Sequence, residues 1–127
     1  ILAHGTVRPA VNQVLCHVGS VPSDVMAHCA ENSILVEAYS PVAHGALLGS
    51  PELAVMAARH GVSVPQLCIR YVLQLGCVAL PKTADPAHMA SNAAVDFTIS
   101  DTDIAALDAM GDVDYGADAR FPVFSGR

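Results

Sequence analysis

The sequence contains little charge and few basic residues. Charged residues make up 14% of the 127 residues, tryptophan is absent, and Lys82 is the only lysine. The formal net charge is −6, and the arginines are scattered along the chain. Because no basic stripe is available to neutralise phosphates, the chain lacks the electrostatic signature of nucleic-acid binding. We therefore expect no nucleic-acid partner.

Long apolar runs and paired cysteines are also missing. No stretch approaches the roughly 20 apolar residues of a membrane-spanning helix, so we expect no membrane partner. The cysteines include no Cys-x-x-Cys pair, and their spacing from nearby histidines fits no common zinc pattern. Reduced, buried thiols in a cytoplasmic protein are the simplest interpretation, and we predict no metal site.

What the chain does contain is enough apolar residues for a core. Hydrophobic residues make up 53% of the sequence, which argues against disorder, and the length suits one domain. The first residues, ILAHG, have the pattern of a last helical turn that ends at Gly5. We therefore interpret residues 1–127 as a single partial domain and expect the chain to be a piece of a longer protein.

Three short segments have the pattern of buried parallel strands. They are rich in Val, Ile and Leu and cover residues 9–16, 34–41 and 77–83. Helical patterns separate and follow them, and each is preceded by a serine that can cap a helix: Ser23, Ser50, Ser63 and Ser100. Alternation of strands and helices predicts an α/β fold with a parallel sheet. A closed barrel of eight such units needs about 250 residues, so this chain corresponds to a part of one.

Polar residues occur at or near the carboxyl ends of the predicted strands, which are otherwise apolar. Lys82 and Thr83 close the third strand, and Asp85 and Pro86 can start a helix directly afterwards. An ammonium, a hydroxyl and the free amides of a helix N-terminus would form a phosphate site at the carboxyl end of the sheet. The alternative is a solvated lysine. Polar groups in the first two strands could likewise serve the backbone or the core.

In order along the chain, these residues resemble the C-terminal half of an aldo-keto reductase. The resemblance runs from about Pro9 to Met110 and is carried by three stretches: PAVNQVLCH, VEAYSPVAHG and ALPKTADPAHMASN. They are similar to about strands 6–8 of the family's (β/α)8 TIM barrel, with their helices. The resemblance implies a cytoplasmic oxidoreductase that uses NADPH to reduce a small-molecule carbonyl, an aldehyde or a ketone, to an alcohol.

The resemblance also implies a role for each cofactor-binding residue. Gln13 would bind the nicotinamide carboxamide, and Tyr39 would stack on its ring. Residues along the pyrophosphate would be Ser40, Val42 and His44. Lys82 and Thr83 would hold the 2′-phosphate, and the adenine would meet Ser91 and Asn92.

Two departures from the family pattern limit these expectations. His88 stands where the family usually has an arginine, and imidazole gives a weaker grip on phosphate than guanidinium, so NADH is possible as well as NADPH. The family's catalytic tetrad of Asp, Tyr, Lys and His comes from the first half of the barrel, so no residue here is assigned as catalytic. We expect the chain to be inactive alone.

Three further expectations remain open on sequence grounds. The alternatives to the enzyme are a non-catalytic nucleotide-sensing barrel and an inactive truncated fragment. Residues 111–127 form a C-terminal tail whose aromatic residues, Tyr115, Phe121 and Phe124, would either close over the substrate or pack on the outer barrel. Open edges of a partial barrel favour self-association of the fragment.

Overall fold

Three parallel strands form the centre of the structure, a computed structural model that describes residues 1–120. The strands are β1 (Val11–Leu15), β2 (Leu35–Tyr39) and β3 (Val78–Leu80), and they lie in the order β1-β2-β3. Gln13 lies beside Glu37, and Tyr39 lies between Leu15 and Leu80. The predicted strands at 9–16, 34–41 and 77–83 are confirmed, although the paired ladder is shorter than each predicted segment.

In residues 1–120, five α-helices connect and follow the strands. They are α1 (Ser23–Glu31), α2 (Pro51–Arg59), α3 (Val64–Gln74), α4 (Pro86–Ala93) and α5 (Asp101–Asp108). A segment of 3₁₀ turns over Ala43–Gly49, kinked by non-helical backbone at His44 and Gly45, and a 3₁₀ helix at Ala117–Ala119 were not predicted. Within residues 1–120, no helix is both long and apolar enough to cross a membrane.

Most of the predicted helix starts are confirmed. The side chains of Ser50 and Ser100 accept a hydrogen bond from the third helical amide, and Ser63 forms a reciprocal capping box with Gln66. The prediction for Ser23 is wrong, because α1 begins at Ser23 itself and Pro22 occupies the capping position without a side-chain hydrogen bond. At the front of the chain, ILAHG forms one turn in which the amides of His4 and Gly5 donate to the carbonyl of Ile1.

The two faces of the sheet differ. Side chains at alternating positions, among them Val14, Val36 and Ala38, point to a core that contains residues of α2 and α3. The opposite face carries Val11, Leu35 and Val78, which remain 43%, 47% and 39% exposed in residues 1–120. We call this second surface the uncovered face.

The residues that follow α5 return to the sheet and cross near the carboxyl end of β1. We call residues 111–120 the C-terminal strap. Gly19, in the loop after β1, has φ of +81°, and a Cβ built there would lie 2.4 Å from the carbonyl oxygen of Gly111. Tyr115 packs against the core, whereas Phe121 and Phe124 lie outside the described residues. The predicted tail from residue 111 onward is therefore described only as far as Arg120.

Candidate functional site

A cavity of about 560 Å³ lies at the carboxyl ends of β2 and β3. Its wall includes eight of the ten residues that sequence analysis proposed for cofactor binding: Ser40, Val42, His44, Lys82, Thr83, His88, Ser91 and Asn92. These residues come from the turn after β2, the end of β3 and helix α4. Segments some 40 residues apart in the sequence therefore supply one site, as expected at the carboxyl edge of a parallel sheet.

Both polar and apolar side chains line the cavity. Lys82 and the polar residues of α4 are among the first, and Val42, Leu48 and Pro65 are among the second. Lys82 is exposed, and within residues 1–120 it forms no salt bridge. A flat, partly apolar group that bears an anion would match this mixed lining.

The start of α4 differs from the expected set of free amides. The Asp85 carboxylate accepts hydrogen bonds from the amides of Ala87, at 2.7 Å, and His88, at 3.4 Å. The amide of Asp85 itself donates to the Thr83 hydroxyl oxygen at 3.1 Å. The prediction that free helix amides complete the phosphate site is therefore wrong: the cap that starts the helix already accepts from them. A phosphate here would rest on side chains, next to one carboxylate.

The turn after β2 holds an unusual backbone conformation beside the cavity. Ser40, Ala43 and His44 have φ of +53°, +48° and +52°, values that L-residues seldom adopt. The Ser40 hydroxyl and the His44 Nε2 lie 2.8 Å apart and hydrogen-bond across this turn. Conformations of this kind cost on the order of 1–3 kcal/mol each and concentrate at ligand-binding sites.

The remaining two predicted residues, Gln13 and Tyr39, do not line the cavity. Both lie on the uncovered face, and Tyr39 is two residues nearer the carboxyl end of the sheet than the Gln13–Glu37 pair. The Gln13 Nε2 donates to Glu37 Oε2 at 3.1 Å. Sequence analysis did not predict this contact.

A chain of aromatic rings links the strap to the sheet, which sequence analysis did not predict. The Nδ1 of buried His17 lies 2.8 Å from the Val18 carbonyl, and its Nε2 lies 2.9 Å from the Tyr115 hydroxyl. Since a carbonyl only accepts, Nδ1 carries the proton and the tyrosine donates to Nε2. Burial lowers the pKa of His17, in keeping with this neutral tautomer. Tyr115 also stacks on His44, with ring centres 5.3 Å apart, so the strap reaches the cavity wall.

A second polar cluster lies on the helical side of the sheet. Asp103 of α5 accepts from Arg59 and, at 2.9 Å, from His60 at the end of α2. These hydrogen bonds, the one from His60 foremost, hold the pKa of Asp103 below its usual value. The cluster ties α5 to α2. No group of three or more potential metal ligands occurs in residues 1–120.

Comparison with solved structures shows the wider fold to which these elements correspond. An aldo-keto reductase from a Medee basin deep-sea metagenome library matches with a TM-score of 0.82 and 29% identity, over 87% of this chain and 42% of that one. An aldo-keto reductase solved in complex with NADPH matches with a TM-score of 0.78 and 30% identity, over 84% of this chain and 36% of that one. These neighbours are (β/α)8 barrels, so the fold is that of part of an α/β barrel.

Sequence comparison identifies the family. The profile of the aldo/keto reductase family matches residues 1–112, and the chain therefore belongs to this family. Aldo-keto reductase family 1 member A1 of Cricetulus griseus is 35% identical over an alignment of 121 residues that covers 87% of this chain and 37% of that protein. An uncharacterized oxidoreductase of Schizosaccharomyces pombe is 35% identical over 117 residues, or 91% of this chain. The chain spans about 40% of the length of the curated relatives it matches.

Proposed function

We propose that this chain is the cofactor-binding, C-terminal part of an NAD(P)H-dependent carbonyl reductase. It would correspond to about strands 6–8 of the barrel, with residues 111–127 as the C-terminal tail. The observation that carries the proposal is the grouping of eight predicted residues around one cavity. Membership of the aldo/keto reductase family and a neighbour solved with NADPH support a nicotinamide cofactor.

The donors around the cavity fit the adenosine end of NADPH. Lys82 and Thr83 would hold the 2′-phosphate, with His88 alongside, and Ser91 and Asn92 would meet the adenine. Ser40, Val42 and His44 would lie along the pyrophosphate. The cofactor supplies the hydride, and the protein positions it.

The nicotinamide end would lie over the uncovered face. Gln13 would bind the carboxamide and Tyr39 would stack on the ring, since both occupy this face beyond the cavity. The substrate would be a small-molecule aldehyde or ketone, reduced to an alcohol by a cytoplasmic enzyme. We assign no catalytic residue in this chain and expect the 127 residues alone to be inactive. The two alternatives, a non-catalytic nucleotide-sensing barrel and a truncated fragment, would be inactive as well.

The test is a titration of the chain with NADPH, NADH and 2′,5′-ADP. Lys82→Ala should weaken binding of the two ligands that carry the 2′-phosphate by tenfold or more, because a charge-assisted contact is worth on the order of 1.5–3 kcal/mol. Asp85→Asn keeps a capping oxygen but removes the carboxylate beside the phosphate, so it should tighten the same ligands by about twofold to fivefold. NADH should change little in both variants.

The two variants control for each other, since they alter the charge beside the phosphate in opposite senses. Equal losses for NADPH and NADH in Lys82→Ala would show that the lysine is structural. Absence of binding by all three ligands would overturn the proposed function itself.

A further inference from the structure

One polar pair interrupts the otherwise apolar uncovered face. Gln13 and Glu37 are direct neighbours across β1 and β2, and the Gln13 Nε2 donates to Glu37 Oε2 at 3.1 Å. Their surroundings along the strands are Val11 and Leu35 on one side and Leu15 and Tyr39 on the other. Val78 follows next to Glu37 on β3. Glu37 is only partly buried and its contact with Gln13 is exposed, so the contact is better explained by what it does to the Gln13 side chain than by burial.

The contact fixes which way round the Gln13 amide faces. A carboxylate has only acceptor atoms, so the NH₂ of Gln13 must face Glu37, and the amide oxygen must face away from it. Within residues 1–120, this is the one hydrogen bond that the Gln13 side chain makes. Without Glu37, the amide could turn over and present either its oxygen or its nitrogen. The carboxylate therefore occupies one N–H of the amide and leaves the amide oxygen of Gln13 facing away from Glu37, where it can accept a hydrogen bond.

We propose that Glu37 is a positioning residue that sets the Gln13 side chain to accept a hydrogen bond from the NH₂ of the nicotinamide carboxamide. This inference rests on the proposed function and adds to it a residue that does not itself touch the cofactor. Glu37 acts through Gln13: it selects a ligand with a donor at this point and disfavours one with only an acceptor. The ligand class is thus a pyridine carboxamide rather than the corresponding ketone.

The experiment measures the two ends of the cofactor separately on the 127-residue chain, by ligand-observed NMR. Reduced nicotinamide mononucleotide and its 3-acetylpyridine counterpart, which lacks the NH₂ group, probe the nicotinamide end. The ligand 2′,5′-ADP probes the adenosine end. In the wild type, the carboxamide should bind about fivefold more tightly than the acetyl analogue, as expected for one hydrogen bond.

Three variants separate positioning from a general structural effect. Glu37→Leu suits the neighbouring Leu35 and Val78, so we expect it to fold, and it should abolish most of the carboxamide preference. Gln13→Leu should do the same, and the double variant should lose no more than either single one, because the two residues act as a unit. Glu31→Gln, which removes an exposed carboxylate at the end of α1, is the matched control and should leave the preference unchanged.

The outcomes distinguish this inference from the proposed function. If 2′,5′-ADP binds and Glu37→Leu leaves the carboxamide preference intact, the positioning role is wrong while the cofactor site stands. Additive losses in the double variant would also overturn it, because Glu37 would then act independently of Gln13. If neither reduced nicotinamide mononucleotide nor 2′,5′-ADP binds to the wild type, the proposed function is wrong, and the positioning role is wrong with it.

Discussion

The two faces of the sheet carry different kinds of surface. On the helical face, Val14 and Ala38 are fully buried, and no buried side-chain nitrogen or oxygen in residues 1–120 lacks a hydrogen-bond partner. On the uncovered face, Val11, Leu35 and Val78 remain 43%, 47% and 39% exposed near the Gln13–Glu37 pair, although Leu15 at the carboxyl end of β1 is buried. The first is a packed core, whereas the second mixes apolar area with a specific polar contact.

This difference separates stability from function. Residues that face the helices contribute to folding through the apolar area they bury. Val11, Gln13 and Leu35 on the uncovered face bury little within residues 1–120, so their identity has to be explained by what they contact outside this part of the chain. In the proposed function, those contacts are the nicotinamide ring and the rest of the barrel.

The sharpest test of this separation uses two valines of β1. Val14→Ala removes apolar volume from the packed core and should lower the free energy of unfolding by about 2 kcal/mol. Val11→Ala makes the same chemical change on the uncovered face, where the side chain is 43% exposed, and should cost less than about 0.5 kcal/mol. Urea unfolding of both variants measures the difference. Equal losses would mean that the uncovered face is packed in solution.

The strap offers a second test, at the boundary between the two faces. Tyr115→Phe leaves the ring on His44 but removes the hydrogen bond to buried His17, and should cost about 1 to 2 kcal/mol. Asp118→Asn is the control, because its contact with His44 is 3.9 Å long and exposed. Thermal unfolding compares them. If the two variants are equally stable, the strap does not depend on the His17 contact.

A smaller effect is expected from Asp103, and it should disappear in acid. Its pKa is lowered in the folded chain by the hydrogen bonds from His60 and Arg59, so its contribution is complete above the usual carboxyl pKa of about 4. That contribution is lost as the pH falls through the lower folded-state pKa. Asp103→Asn should therefore be less stable than the wild type at neutral pH, and this difference should shrink toward pH 2. A constant difference across this range would exclude the ion-pair explanation.

The smallest expected effect concerns association through the uncovered face. Leu35→Lys places a charge among Val11 and Val78 and should shift the chain toward monomer without changing its helix content. Sedimentation at several concentrations would show this, with Val55→Lys on α2, an apolar position that is 61% exposed against 47% for Leu35, as the control. A wild type that stays monomeric at all concentrations would show that the face does not self-associate.

Sequence patterns predicted the strands and most helix caps, because each depends on local periodicity or on short motifs, and the family resemblance predicted eight of the residues that line the cavity. Ser63 with Gln66, for example, is a capping signal within four residues. The missed contacts join distant positions: His17 with Tyr115, Glu37 with Gln13, and Asp103 with Arg59 and His60. Nothing local marks such partners. The free amides expected at the start of α4 failed for another reason: Asp85, correctly read as the cap, accepts from those same groups.

Gly19 is the residue at which the strap approaches the loop after β1 most tightly among the glycines described. Its backbone has φ of +81°, and any side chain would meet the Gly111 carbonyl oxygen within 2.4 Å. Alanine at this position would therefore push the strap away from the sheet. The substitution would change no residue of the cavity or of the uncovered face. For protein engineering, the side chain at position 19 therefore controls how closely the strap lies on the sheet. If random mutagenesis is combined with selection for variants in which the strap keeps this position, only glycine should be recovered at position 19.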